Sequence, residues 1–167
     1  MGYVHDTGMS QFIPPLAFHY VTGTWTFAAG GVAGTVALHV AGNNTSVLTI
    51  PIMLPSNSVA LKGALLKSIE IDYEIGTAAP TSMTWTLNKV TRGADTAVAV
   101  VAAVTKTNTL DATAEKTVDQ HRQTITLTTP AYIDNDEYYL LELSTPKGAG
   151  GCTFDFLGAV ANFTLRV

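Results

Sequence analysis

Apolar and polar residues alternate with a period of two along most of this chain, in short runs broken by Gly, Pro and Asn. The clearest run is Ala64 to Ile75. Leu65, Ile69, Ile71, Tyr73 and Ile75 fall on one side of it, and Leu66, Ser68, Glu70, Asp72 and Glu74 on the other. That is the side-chain spacing of a strand with one face in a core and one in solvent. Gly76 to Pro80 turns the chain, and Ser82 to Val90 repeats the pattern with Met83, Trp85 and Leu87 on the apolar side, so the two runs are expected to form a hairpin. Similar runs span Thr22 to Ala28, Thr35 to Val40, Ser46 to Leu54, Gln123 to Thr128, Glu137 to Ser144 and Thr153 to Val167. Pro51 marks an edge or a bulge in its run, and Gly158 a bulge in the last.

Two stretches are less regular. Thr96 to Thr107 is rich in Ala, but its valines and flanking threonines favour a strand over a helix. Leu110 to Gln120 is polar and reads as a short helical turn or a long loop. About eight to ten short strands with little helix indicate a two-sheet antiparallel β-sandwich, for which a jelly roll fits the length. The fold class expected is therefore all-β, with residues 21–167 as one sandwich domain.

Residues 1–20 lack periodicity, and Pro14-Pro15 blocks both helix and central strand. Yet the segment carries Tyr3, Met9, Phe12, Ile13, Leu16, Phe18 and Tyr20, too apolar for a disordered tail. It reads as an extended arm that packs on its own sandwich or on a neighbouring subunit, and these seven residues are the expected partner contacts.

Composition narrows the function. Only 13% of the 167 residues are charged, against roughly 25% in typical soluble domains. The resulting Thr/Ser/Asn/Ala surface is easily desolvated against partner subunits, or else belongs to a neutral extracellular-type sandwich. A net charge of −4, with nine scattered Lys and Arg, argues against nucleic acid or a membrane surface as partner. Met1 to Asp6 has no signal-peptide pattern and no run is long enough to span a membrane, so synthesis in a cytoplasm is expected. Cys152 is the sole cysteine, expected as a packed, inert thiol.

Candidate chemistry is thin. Asp6-Thr7-Gly8 matches the aspartic-protease triplet, but a second copy is absent and no apolar strand precedes it; an Asx-type turn is the plainer account. His5, His19, His39 and His121 show no metal-ligand spacing. Glu70, Asp72 and Glu74 stack carboxylates on one strand face, open to a shared cation but more simply a solvated face. Asp134-Asn135-Asp136-Glu137 could offer oxygens to Ca²⁺ but lacks the rest of an EF-hand, so a turn is favoured. Lys147 to Gly151 is not a P-loop, and the sequons at Asn43, Asn44 and Asn162 mean little without a secretory leader. Trp25 and Trp85 sit in strand alternation, which favours core packing over a carbohydrate platform. No catalytic residue, cofactor or metal is expected.

The run Pro130-Ala-Tyr-Ile-Asp-Asn-Asp-Glu-Tyr-Tyr-Leu-Leu-Glu-Leu143, a Gly-rich break and a last apolar strand resemble the end of tailed-bacteriophage virion jelly rolls, of the capsid decoration (cement) or small head-fibre type. The resemblance implies a non-enzymatic virion protein, a homotrimer seated on the major capsid protein or another virion subunit, with the arm reaching a neighbour. It carries no fixed functional residue. The rival expectation is a lectin-like glycan-binding module, which calls for an exposed aromatic platform.

Overall fold

The computed structural model describes residues 5–22, 25–27, 37–40, 47–56, 63–93, 99–147 and 151–166 of the chain. Among them are strands β1 (Asp6–Ile13), β2 (His19–Thr22), β3 (Trp25–Phe27), β4 (Ala37–Val40), β5 (Val47–Ile52), β6 (Ala64–Gly76), β7 (Ser82–Thr91), β8 (Val100–Ala103), β9 (Asp119–Thr126), β10 (Glu137–Lys147) and β11 (Thr153–Arg166). They form two antiparallel sheets. One runs β3-β4-β11-β6-β9, with β1 also paired to β11; the other runs β2-β5-β10-β7-β8. Strands β4 to β11 thus give the orders β4-β11-β6-β9 and β5-β10-β7-β8, which is the two-Greek-key arrangement of a jelly roll.

The expected hairpin of Ala64–Ile75 with Ser82–Val90 does not form. β6 and β7 lie in opposite sheets, and the link between them arches over the end of the core. Two strands that each bury one face look alike in sequence whether they pair edge to edge or face each other across a core, so periodicity could not separate the cases. The faces of β6 also change partway. The partners of Asn162 and Phe163 on β11 are Ser68 and Leu66, which leaves Lys67 as an extra residue. This bulge turns Leu66 into the core and leaves Leu65 half-buried, the reverse of strict alternation.

Other punctuation falls where the sequence placed it. Gly158 sits at the register break of β11 with φ +139°, a conformation L side chains rarely adopt. Pro51 lies in β5 beyond the reach of β2, which pairs only with residues 47–49, so its missing N–H leaves no ladder bond unmade there. The polar stretch after Leu110 holds a 3-10 turn, Thr113–Glu115.

The core is aromatic at its centre. Tyr73 stacks on Phe154 at 5.4 Å between ring centroids, and Trp85 lies 6.4 Å from Phe154 and 6.5 Å from Phe156. Both tryptophans are buried, as alternation required. Cys152 is buried too, and burial pushes its thiol pKa up, which keeps it protonated and inert.

The N-terminal segment is woven into the sandwich. β1 runs along the second half of β11, from Asp6 opposite Arg166 to Ile13 opposite Ala159. Pro14 and Pro15 end it, and a 3-10 turn at Pro15–Ala17 lifts the chain to the other sheet, where β2 pairs with β5. Ile13 and Phe18 are buried, Phe18 against Trp25 and Phe156. Deletion of residues 1–20 would therefore remove the core residues Ile13 and Phe18.

Candidate functional surfaces

The outer face of the six-stranded sheet is polar and hydrogen-bonded to itself. Register places Glu70, Asp72 and Glu74 of β6 opposite Thr124, Arg122 and Gln120 of β9. Arg122 holds Asp72 through two bonds of 2.7 and 3.1 Å, and Gln120 Nε2 donates to Glu74 at 3.1 Å. On the other side of β6, Asn162 Nδ2 donates to Glu70 at 2.9 Å while its Oδ1 accepts from Ser10 at 2.6 Å, tying β1, β11 and β6 together. The three stacked carboxylates therefore each have a partner of their own. Among the described residues no group of three or more His, Cys, Asp or Glu could hold a metal ion. Asp155, opposite Glu74, is the less settled member: burial, then the Glu74 charge, raises its carboxyl pKa. A shallow cleft of about 340 Å³ lies over Asp72, Gln120, His121, Arg122 and Leu157.

The outer face of the five-stranded sheet is different in kind. The inward residues of β7 and β10 are Met83, Trp85 and Leu87, and Tyr139, Leu141 and Leu143. Their neighbours Val90 and Tyr138 therefore point outward. Register aligns Val101 of β8, Val90 of β7 and Tyr138 of β10 in one row, and Met53 follows Ile52, the partner of Tyr139. Val101 is 59% exposed and Met53 62%. Met53, Val90, Ala99 and Tyr138 form the apolar floor of a groove of about 330 Å³, rimmed by Arg92, Asn135 and Asp136.

The acidic turn at one end of this groove holds itself in place. Glu137 takes Lys89 at 2.7 Å, Thr91 Oγ1 at 3.3 Å and the Asp134 N–H at 2.9 Å, and Arg92 N–H donates to Asp136 O at 2.7 Å. Burial pushes the Glu137 carboxyl pKa up, but the bonds from Lys89 and the Asp134 N–H outweigh it and hold the pKa below the usual carboxylate value. Glu137 is thereby committed to the turn. A turn is what the sequence favoured here over a Ca²⁺ site.

The expected contact residues of the N-terminal segment separate. Ile13 and Phe18 face the core. Phe12 is 60% exposed on the outer face, its ring against Gly158, where an added Cβ would lie 2.8 Å from Cε2. Leu16, in the 3-10 turn, is 64% exposed, and Met9 and Val21 are exposed as well. Tyr3 and the side chain of Tyr20 lie outside the described residues, as do the side chain of His39 and the sequons at Asn43 and Asn44. Asp6-Thr7-Gly8 lies within β1 rather than in a turn, and Asp6 accepts from Arg166 Nε at 3.1 Å. His5 and His19 are exposed, and His121 stacks on Tyr73 with ring centroids 5.0 Å apart. The apolar row was missed because its members come from three strands and the residue after β5, which only the tertiary structure brings side by side. The exposed valines of β8 were the one local signal.

No protein-family model matches the chain, and no curated protein matches it. Among solved structures, it is similar to a xylan-binding module at 12% identity and a TM-score of 0.46, over 93% of this chain and 97% of that one. A structure of carbohydrate-binding modules of the β-sandwich superfamily aligns at 13% identity and a TM-score of 0.43, over 93% of this chain and 55% of that one. The enzymatically active domain of bacteriophage CBA120 tailspike protein 4 aligns at 6% identity and a TM-score of 0.38, over 94% of this chain and 19% of that one. The pairing of its own strands makes the chain an all-β, two-sheet sandwich.

Proposed function

We propose that the protein is a non-enzymatic structural subunit of a virion, of the capsid decoration or cement type, that acts by burying surface against neighbouring subunits. One observation carries this. Of the eight exposed large hydrophobic side chains among the described residues, Met9, Phe12, Leu16 and Val21 fall within one short segment that is itself anchored in both sheets. Apolar side chains left in water along one anchored edge mark a contact surface. The contact residues in this reading are Met9, Phe12, Leu16 and Val21. Anchoring both strands beforehand lowers the ordering cost of binding. The resemblance of Pro130 to Leu143 and the strand after it to virion jelly rolls supplies the setting. The double variant Phe12→Ser, Leu16→Ser should keep the wild-type melting temperature and lose co-sedimentation with particles of the encoding virus. Undiminished co-sedimentation would refute this reading.

A second reading is glycan recognition in the groove of the five-stranded sheet, where Tyr138 supplies an aromatic side chain and Arg92, Asn135 and Asp136 supply polar groups at the rim. The two tryptophans are core residues, so Tyr138 would have to carry the stacking. A glycan array probed with wild-type protein and with Tyr138→Ala tests it: a hit lost in the variant supports the reading, and no hit, or an unchanged one, removes it.

A further inference from the structure

β8 ends the five-stranded sheet, and all four of its residues are exposed. Val104 donates its N–H to Leu87 O at 2.8 Å, while Val101 stands opposite Val90 and Ala103 opposite Asn88. Antiparallel alternation therefore makes Val100, Ala102 and Val104 the residues bonded to β7. The backbone N–H and C=O of Val101 and Ala103 point to the open edge.

Natural sheets blunt such edges with charge, Pro or a cover. β9, which ends the other sheet, carries Asp119, His121 and Arg122, and its far end is stitched to the chain after β8: Thr107 N–H donates to Thr126 O and Thr128 N–H to Thr105 O, each at 3.0 Å. Ala99-Val-Val-Ala-Ala-Val104 carries no charge and no Pro, and among the described residues no strand pairs with its outer side. The next charge along, Lys106, is turned into its own loop, giving Nζ to Asn108 O at 2.9 Å.

We propose that β8 pairs with β8 of a second copy of this chain, antiparallel about a two-fold axis at Val101. The two five-stranded sheets then join into one. Three features select this occupant. A neutral, β-branched and alanine edge matches an equally neutral strand, and the described edge of β9 is charged. A two-fold pairing fills both open edges at once, whereas pairing to any other edge leaves one bare and propagates. The pairing also sets Val101 beside its mate, so that the row Met53, Tyr138, Val90, Val101 continues unbroken across the axis. The inference goes beyond the shell-contact reading and is independent of it, because β2 of the N-terminal segment lies at the opposite end of this sheet.

The test combines oligomeric state with a cross-link. Sedimentation of the wild type should give a species of twice the monomer mass. Val101→Lys sets like charges face to face, and dimer affinity should fall about tenfold or more. The fluorescence of the buried tryptophans should be unchanged, as a check on folding. Ala103→Lys should act in the same direction. Paired residues bonded to each other in an antiparallel ladder lie about 5.5 Å apart between Cα atoms, within disulfide reach. Val101→Cys should therefore form a covalent dimer under mild oxidation. Cys152 is buried and free, so that bond reports on residue 101 alone. A monomeric wild type, a dimer indifferent to both lysines, or a Val101→Cys protein that stays monomeric on oxidation would each overturn the pairing.

Discussion

The two outer faces of this sandwich are built from strands of similar length and alternation, yet they hold their polar groups in opposite ways. On the six-stranded sheet, Glu70, Asp72 and Glu74 each meet a partner from a neighbouring strand, and a network runs from Ser10 through Asn162 to Glu70. Asp155, opposite Glu74, is the exception: its buried Oδ1 has no hydrogen-bond partner. On the five-stranded sheet, the row from Val101 to Met53 has no polar work to do and remains exposed at both ends. A face whose hydrogen bonds are mostly made already gains little from a partner, whereas apolar area still in water gains from any cover. Recognition is therefore expected on the second face, its edge and the N-terminal segment.

The most severe break in this contrast is removal of residues 1–20. It strips β1 from one sheet and half of β2 from the other and takes out Ile13 and Phe18, so cooperative thermal unfolding should disappear. A sharp transition for the truncated chain would show that the segment is an appendage. Gly158→Ala comes next. The positive φ and the Phe12 ring both oppose a Cβ, and a loss of about 1–3 kcal/mol is expected in urea unfolding.

Glu137→Gln probes the end of the apolar groove. Losing the charge that binds Lys89 should cost about 1–3 kcal/mol at neutral pH. Because the folded carboxyl pKa lies below its ordinary value, its stabilisation is present above the unfolded pKa of about 4.3 and fades as pH falls through the folded value. The wild-type advantage over Glu137→Gln should shrink on acidification below that point. An advantage independent of pH would mean that the charge is not what matters.

On the polar face, Asn162→Ala should cost about 1 kcal/mol, since Glu70 and Ser10 both lose a partner. Arg122→Ala, which breaks an exposed pair, should leave the melting temperature unchanged. Equal effects from the two would mean that the network is no more than a set of surface pairs. Asp155→Asn is the smallest change and has the opposite sign. The folded pKa of Asp155 is raised, so its charge opposes folding above the unfolded pKa of about 3.9, and the variant should melt slightly higher at pH 7 with no gain at lower pH.

Much of the fold was legible in local sequence. Period two gave strands at β6, β7, β10 and β11 and placed both tryptophans inside. Gly158 announced its bulge because only a residue without Cβ rests easily at that φ. The apolar character of the N-terminal segment was legible too, but not that Ile13 and Phe18 face inward while Met9, Phe12 and Leu16 stay exposed. Ile13 and Phe12 are adjacent, and a strand sends adjacent side chains to opposite faces once a neighbour fixes the register.

Sequence by itself determined that this chain is an all-β sandwich with a low-charge surface and without a recognisable catalytic motif, because alternation, turn residues and composition act over a few residues at a time. Only the tertiary structure decided that β6 and β7 face each other instead of pairing, that Lys67 reverses the faces of Leu65 and Leu66, and that Val101, Val90, Tyr138 and Met53 make one row ending at an open edge. Those outcomes depend on which strands become neighbours. That choice is made by packing across the whole core and by register between distant segments, which leave no mark in any short stretch of sequence.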